Sequence, residues 1–144
     1  NTFPGCRVIL MVRDIYDVAS SFEARRQHAI DTPGAPWPVT KGYKQAVSDW
    51  NASLHVALET HPGINVKIVD HSTLYCEDAV LDDLLGFLGL AQTDGMNVYW
   101  QHSKKRRARL AKERENCLTG PQRAYIAKTA RFDLYHRVIA AADQ

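Results

Sequence analysis

The sequence predicts a helix-rich α/β fold with a parallel sheet. Two short runs, residues 8–12 and 65–69, are mostly apolar and rich in Val and Ile, as is typical of buried strands. Each run is followed by segments in which apolar residues recur at helical spacing. Strands that alternate with helices pack as parallel neighbours and place ligand sites at their carboxyl ends. Two parallel strands do not make a stable open sheet, so we expect further strands from this chain or from another.

The first strand ends in a pattern that predicts an anion site. Arg13 follows the apolar run, Asp14 can cap the next helix, and Asp17 lies in that helix's first turn, where the dipole favours a carboxylate. Helix-start N–H groups and a guanidinium can converge on one phosphate. The alternative is a structural arginine at a strand end.

The remaining pattern is mainly helical. Proline and glycine predict a loop at 31–40, and His61-Pro62-Gly63 is expected to end a second helix. Thr119 and Gln122 form a capping box that begins the last element. The predicted helices are 14–30, 41–60 and 77–90, the stretch 92–101 is expected to be irregular, and 104–115 is either a helix or a mobile loop.

Composition narrows the class of protein. The chain has 144 residues, of which 45% are hydrophobic and 24% charged, which is typical of a soluble globular domain. No apolar run approaches the roughly 20 residues of a membrane helix, and no secretory leader is visible. Three widely spaced cysteines fit neither a disulfide framework nor a zinc pattern, and the histidines lack metal-ligand spacing. We therefore expect a cytoplasmic protein with no membrane and no metal.

Charge is distributed unevenly along the chain. Residues 1–100 carry 7 basic and 12 acidic side chains, whereas residues 101–144 carry 11 basic and 4 acidic ones. A basic segment of this kind meets polyanions or phosphorylated ligands. One hypothesis is therefore a non-catalytic anion-binding or nucleic-acid-binding module that uses residues 104–114. The segment has no interleaved aromatic residues for base stacking, which disfavours nucleic acid.

Several motifs resemble the sulfotransferases that use 3′-phosphoadenosine 5′-phosphosulfate (PAPS). The most specific is an arginine at a strand end with a serine eight positions later, here Arg13 and Ser21. The resemblance covers roughly residues 3–137. Its other parts are the lead-in Phe3-Pro4, VKIVDHSTL at 66–74, LLGFLGL at 84–90 and the ending at 118–135.

The resemblance implies a P-loop-NTPase-like sulfotransferase fold and PAPS as the cofactor, with adenosine 3′,5′-bisphosphate as its product. Arg13 and Ser21 would hold the 3′-phosphate, and a dianionic phosphate does need charged donors and a hydroxyl. Lys104 and Arg106, in the run 104–107, are the nearest basic candidates for a second 3′-phosphate contact, with a solvated charge run as the alternative. His71 is expected either near adenine or simply at the surface.

The chain also departs from that family. It has no Gly-x-x-Gly-Lys loop for the 5′-phosphosulfate. The family places this loop and the catalytic base before the strand that ends in the arginine, so no catalytic base can be named in this chain. The resemblance therefore implies that residues 1–144 are the C-terminal portion of a single sulfotransferase domain, inactive alone. The N-terminal half would come from the same or another chain. The acceptor would be a small molecule or glycan hydroxyl or amine; a member that has lost catalysis is a further alternative.

Overall fold

The computed structural model describes residues 5–59, 65–76, 78–114 and 117–142. The described part contains two strands and seven helices. In chain order these are β1 (Arg7–Val12), α1 (Ile15–Asp31), α2 (Tyr43–Leu58), β2 (Asn65–Asp70), α3 (His71–Leu74), α4 (Asp78–Leu88), α5 (Asp94–Arg114), α6 (Gly120–Thr129) and α7 (Phe132–Ala142). The expected α/β class with a parallel sheet is confirmed at this level.

The two strands are parallel and paired along their whole length. Their register runs from Arg7 opposite Asn65 to Val12 opposite Asp70, so both carboxyl ends lie at one edge of the sheet. The first strand is less buried than its apolar sequence predicts, because Val8 and Met11 are exposed and only Val12 is fully buried. Within the described residues each strand has a single strand neighbour, so neither outer edge of the sheet is paired with another strand.

The core lies mainly on one face of this sheet. Leu10, Val12 and Ile68 pack there with residues of α1, α2, α6 and α7, including the fully buried Ile15 and Leu54. The other face carries a smaller cluster, in which Ile9 and Val69 meet α3, α4 and Trp100 of α5. The helices thus sandwich a narrow sheet and leave its carboxyl edge open.

Helix boundaries follow local chemistry. Asp14 caps α1 as predicted, and the capping box of Thr119 and Gln122 begins α6. Gly89, with a φ of 71°, follows the end of α4 in the left-handed conformation that favours glycine. The stop predicted at 61–63, the lead-in at 3–4 and the helix ends predicted at Glu77 and Glu115 lie outside the described residues.

The expectation of an irregular segment at 92–101 is wrong. Helix α5 begins at Asp94 and runs without a break into the basic stretch. The Thr93 hydroxyl accepts a hydrogen bond from the Met96 N–H at 3.3 Å, which is the geometry of a helix N-cap. The last element is also divided, because α6 and α7 are separated at Ala130 and Arg131.

Candidate anion-binding cleft

The cleft lies at the carboxyl edge of the sheet. Arg13 directly follows Val12 and His71 directly follows Asp70, the final pair in the strand register. Two consecutive strand ends therefore bring these side chains to one place although they are far apart in sequence. This is the position where α/β sheets usually bind ligands.

Arginines dominate the walls of the cleft, whose volume is about 490 Å³. The lining residues come from α1, from α5, from the segments that directly follow the two strands and, with Arg123, from α6. Asp17 is the acidic side chain among the lining residues. The lining comprises Arg13, Tyr16, Asp17, Ser20, His71, Tyr75, Ser103, Arg106, Arg107, Leu110, Ala111, Arg114 and Arg123.

The backbone of Arg13 is fixed by a hydrogen bond, whereas part of its side chain has no hydrogen-bond partner among the described residues. Its carbonyl oxygen accepts a hydrogen bond from the indole Nε1 of Trp50 at 2.7 Å. The guanidinium Nη2 lies 3.8 Å from Asp17 Oδ2, whereas Nε is buried and has no hydrogen-bond partner among the described residues. A buried donor without a partner costs free energy unless a ligand satisfies it.

Like charges crowd around Arg13. Burial lowers the pKa of Arg13 from its ordinary value; Asp17 opposes this, and Arg114 and Arg107 lower it further. The guanidinium nevertheless stays protonated at any physiological pH. The cleft therefore holds several mutually repelling cations, which is the electrostatic condition for binding an anion.

His71 is neutral in this environment. Burial lowers its pKa from 6.5 to about 4, with Arg13 and Arg107 adding to the effect. Its ring meets that of Tyr75 edge-on, with the centroids 5.7 Å apart, and its Nδ1 is buried without a partner among the described residues. His71 therefore lines the cleft. It is not simply a surface histidine, which was one of the two positions that the sequence allowed.

The α5 wall is attached by polar contacts. Arg107 donates to the Ser72 carbonyl at 3.0 Å, and its guanidinium lies 5.7 Å from the centre of the Tyr75 ring. Asp78 accepts hydrogen bonds from Trp100 and Lys104, both at 3.1 Å. No residue of α5 is fully buried, so these polar contacts position the helix together with Trp100, which packs against the smaller hydrophobic cluster.

The helix-start amides do not contribute as the sequence predicted. Asp14 Oδ1 accepts from the N–H groups of Tyr16 at 2.8 Å and Asp17 at 3.3 Å. A cap that satisfies these donors and places a carboxylate beside them leaves the start of α1 unsuited to a phosphate. The donors that the cleft can offer to an anion are therefore its side chains.

The four site residues predicted from sequence divide into two groups. Arg13 and Arg106 both line the cleft. Ser21 is buried, only 6% exposed, and is absent from the lining, where the neighbouring Ser20 occurs instead. Lys104 is also outside the lining, because it forms an ion pair with Asp78 on another face of α5.

Three further arginines line the cleft: Arg107 and Arg114 belong to the predicted basic segment 104–114 but were not singled out as site residues, and Arg123 was missed. Ser103, Arg106, Arg107, Leu110 and Arg114 recur at steps of three and four, which identifies one face of a helix. That signal becomes usable only once the segment is known to be helical throughout. Arg123 lies beyond it, on α6, with its guanidinium 5.8 Å from the centre of the Tyr16 ring.

The described part of the chain contains no group of three or more His, Cys, Asp or Glu side chains arranged to hold a metal ion. None of its helices combines the length and the apolar character needed to cross a membrane. The three cysteines are free thiols.

Comparison of the chain with protein-family models, with curated proteins and with solved structures finds no match, so the case for function depends on the cleft itself.

Proposed function

We propose that this chain is the 3′-phosphate-binding portion of a PAPS-dependent sulfotransferase. The observation that carries the proposal is the buried, unpartnered Nε of Arg13 in a cleft lined by four other arginines. A dianionic phosphate supplies acceptor oxygens and the negative charge that these groups need. The expected strand-end position of Arg13 in the resembling family supports the same assignment.

The cleft residues fit such a group in chemistry and in size. Arg13 and Arg107 would donate charge-assisted hydrogen bonds, and the lining offers two serines, Ser103 and Ser20, the second of which is nearly as buried as Ser21. A volume of about 490 Å³ falls within the range of nucleotide-sized sites. The neutral ring of His71 and the ring of Tyr75 provide uncharged surface beside the arginines for a base or ribose.

The proposed role of the chain is to bind and orient. When bound in a complete active site, PAPS supplies a sulfuryl group to an acceptor hydroxyl or amine, whose proton passes to a base, and adenosine 3′,5′-bisphosphate is released. Arg13 and its neighbours would fix the nucleotide so that the sulfuryl group meets the acceptor in line, which is catalysis by positioning. The loop for the 5′-phosphosulfate and the base would come from the N-terminal half of the domain.

Calorimetric titration with adenosine 3′,5′-bisphosphate tests the proposal. We expect binding that is stronger than that of adenosine 5′-monophosphate, because the 3′-phosphate makes the contacts with the arginines. Arg13→Ala should weaken the bisphosphate by about 1.5–3 kcal/mol, the value of a hydrogen bond to a charged group, and should leave the monophosphate almost unchanged.

Arg109→Ala is the matched control, since Arg109 lies on α5 outside the cleft and is exposed. It should leave affinity for the bisphosphate unchanged. Equal affinities for the two nucleotides in the unmodified chain, or equal losses in both variants, would contradict the 3′-phosphate assignment.

The non-catalytic polyanion-binding module remains the second candidate. It is favoured by the exposed cations Lys105, Arg109 and Lys112 on the solvent side of α5. A module of that kind requires no Arg13, so the more highly charged bisphosphate would bind more tightly through its charge alone and Arg13→Ala would not weaken it selectively. The same titrations therefore separate the two functions.

A further inference from the structure

Helix α5 supplies three arginines of the cleft but is only loosely attached to the hydrophobic core. Arg106, Arg107 and Arg114 belong to this helix and line the cleft. None of the residues of α5 is fully buried, although Trp100 packs against the smaller hydrophobic cluster. The orientation of the three arginines therefore depends strongly on the polar contacts that hold the helix.

The carboxylate of Asp78 holds one turn of α5. Asp78 is the first residue of α4. Its Oδ1 accepts hydrogen bonds from the side chains of three residues of α5, namely Trp100 at 3.1 Å, Gln101 at 3.4 Å and Lys104 at 3.1 Å. Because each residue turns a helix by about 100°, a rotation of α5 about its axis would break at least one of these bonds.

The segment that Asp78 holds continues directly into the cleft. The Trp100 ring packs against the ring of Tyr75, with the centroids 4.9 Å apart, and Tyr75 lines the cleft. Two turns further along α5, Arg107 donates to the Ser72 carbonyl at 3.0 Å, and its guanidinium lies 5.7 Å from the centre of the Tyr75 ring. Contacts with Asp78 and with Tyr75 therefore fix one continuous segment of the helix.

We infer that Asp78 is a positioning residue of the cleft, which holds α5 in the orientation that presents Arg107 and Arg114 beside Arg13. Asp78 itself is outside the lining, so it acts through the helix and not by touching a ligand. The inference goes beyond the proposed function, because it applies to any anion that the cleft binds. Binding side chains that are already held in place lose less conformational freedom when the ligand arrives, which strengthens binding.

The negative charge of Asp78 separates this role from a purely electrostatic one. The hydrogen bond from Lys104 lowers the pKa of Asp78 from its ordinary value, so the carboxylate is ionised at neutral pH. A negative charge near a cationic cleft weakens the attraction for anions, and its removal alone should tighten their binding. A loss of helix position should weaken their binding instead. The two effects of removing Asp78 therefore differ in sign.

Calorimetric titration with inorganic sulfate at constant ionic strength tests the inference. We expect Asp78→Ala to raise the dissociation constant of sulfate roughly threefold to tenfold, a change of the size that lost hydrogen bonds cause. The side chain of Asp78 is 67% exposed, so its removal should leave the hydrophobic core intact, as a circular dichroism spectrum would verify. A dissociation constant that stays the same or falls would overturn the inference.

A conservative variant separates position from charge. In Asp78→Asn the amide oxygen can still accept from Trp100 and Gln101, whereas the negative charge is gone. Its affinity for sulfate should therefore equal or exceed that of the unmodified chain. A loss as large as in Asp78→Ala would mean that helix position is not what Asp78 supplies.

Trp100→Phe tests the same contact without any change of charge. This variant keeps an aromatic ring beside Tyr75 but removes the indole donor to Asp78. We expect the dissociation constant of sulfate to rise roughly twofold to threefold. An unchanged value would contradict the inference, also in the event that Asp78→Ala does not fold.

Asp83→Ala is the matched control. Asp83 is an exposed carboxylate on the same helix, α4, and its ion-pair partner is Lys67 of β2 at 2.7 Å. Its removal should leave the affinity for sulfate unchanged or slightly higher, and a loss equal to that in Asp78→Ala would refute the role of Asp78. Failure of the unmodified chain to bind sulfate would remove the anion site and the positioning role with it. Equal affinities for the two nucleotides would contradict the proposed function and leave this inference standing.

Discussion

Two polar clusters on α1 differ in how completely their charges are paired. Glu23 is only 8% exposed, and both of its carboxylate oxygens have donors. Oε1 accepts from Arg26 at 3.2 Å and Gln122 at 3.1 Å, and Oε2 accepts from the Tyr43 N–H at 3.2 Å. Arg13, which lies just before the start of the same helix, has a buried Nε without a partner among the described residues.

The difference separates a structural cluster from the candidate binding cleft. Glu23 joins α1 to the starts of α2 and α6, so its hydrogen bonds stabilise the fold. The packing is tight enough that a Cβ on Gly42 would lie 2.6 Å from Glu23 Oε2. The arginine cleft gathers repelling cations and leaves donors unsatisfied, which costs stability and is typical of sites that a ligand completes.

The largest effect should come from the paired cluster. We expect Glu23→Ala to lower the free energy of unfolding by about 2–4 kcal/mol, because it leaves three donors without their acceptor. Urea denaturation followed by circular dichroism measures the loss. Glu113→Ala, which removes an exposed carboxylate, should change the value by less than about 0.5 kcal/mol. Similar losses in the two variants would remove the distinction drawn between the clusters.

Arg13 should behave in the opposite way. Arg13→Met keeps the apolar stem but removes the charge, so without anions the free energy of unfolding should stay the same or rise by up to about 1 kcal/mol. Sulfate at ten times its dissociation constant should stabilise the unmodified chain by about 1.4 kcal/mol and the variant by less. Chloride at matched ionic strength controls for general salt effects. A variant clearly less stable than the unmodified chain would make Arg13 a structural arginine.

The smallest effect concerns the titration of His71. Its pKa is lowered from 6.5 to about 4, so the unfolded chain binds a proton in this window that the folded chain does not. Protonation of His71 therefore favours the unfolded chain. Its effect on the free energy of unfolding is absent above pH 6.5, and the free energy of unfolding decreases as the pH falls toward 4. Phosphate bound in the cleft should raise the pKa, because it offsets the charges of Arg13 and Arg107.

Nuclear magnetic resonance of the His71 ring, with and without phosphate, follows this pKa directly. His136, exposed on α7 and outside the cleft, is the internal control, and its ring signals should not respond to phosphate. Identical His71 curves with and without phosphate would place the anion elsewhere.

Local chemistry made much of the architecture predictable. The β-branched run of the first strand, the Asp14 cap and the Thr119 capping box depend on neighbours within a few residues, and all three occur as expected. The parallel pairing followed from the alternation of strands and helices. The start of α5 was missed because its cap, Thr93, stands among polar and glycine residues that favour loops.

The site was predictable only at its strand end. Arg13 could be identified because the local sequence is enough to place a residue directly after a strand. Arg106 could be identified because it lies in a conspicuous basic run. Ser21 on α1 and Lys104 on α5 belong to helices that line the cleft, but neither residue is in the lining. The reason is that each step of one residue turns the side chain by about 100° around the helix axis. Which face is buried depends on what packs against it, and that information is distant in sequence.

Residue types and their spacing were enough to establish the strands, the caps and a cationic segment, because these depend on short-range sterics, hydrogen bonds and composition. Packing of α5 against α1 determined which cations meet, and the register of the two strands placed His71 beside Arg13. The physical reason is that burial and charge crowding arise between segments far apart along the chain. They leave Arg13 Nε and His71 Nδ1 without partners in the described structure, which no local pattern could reveal.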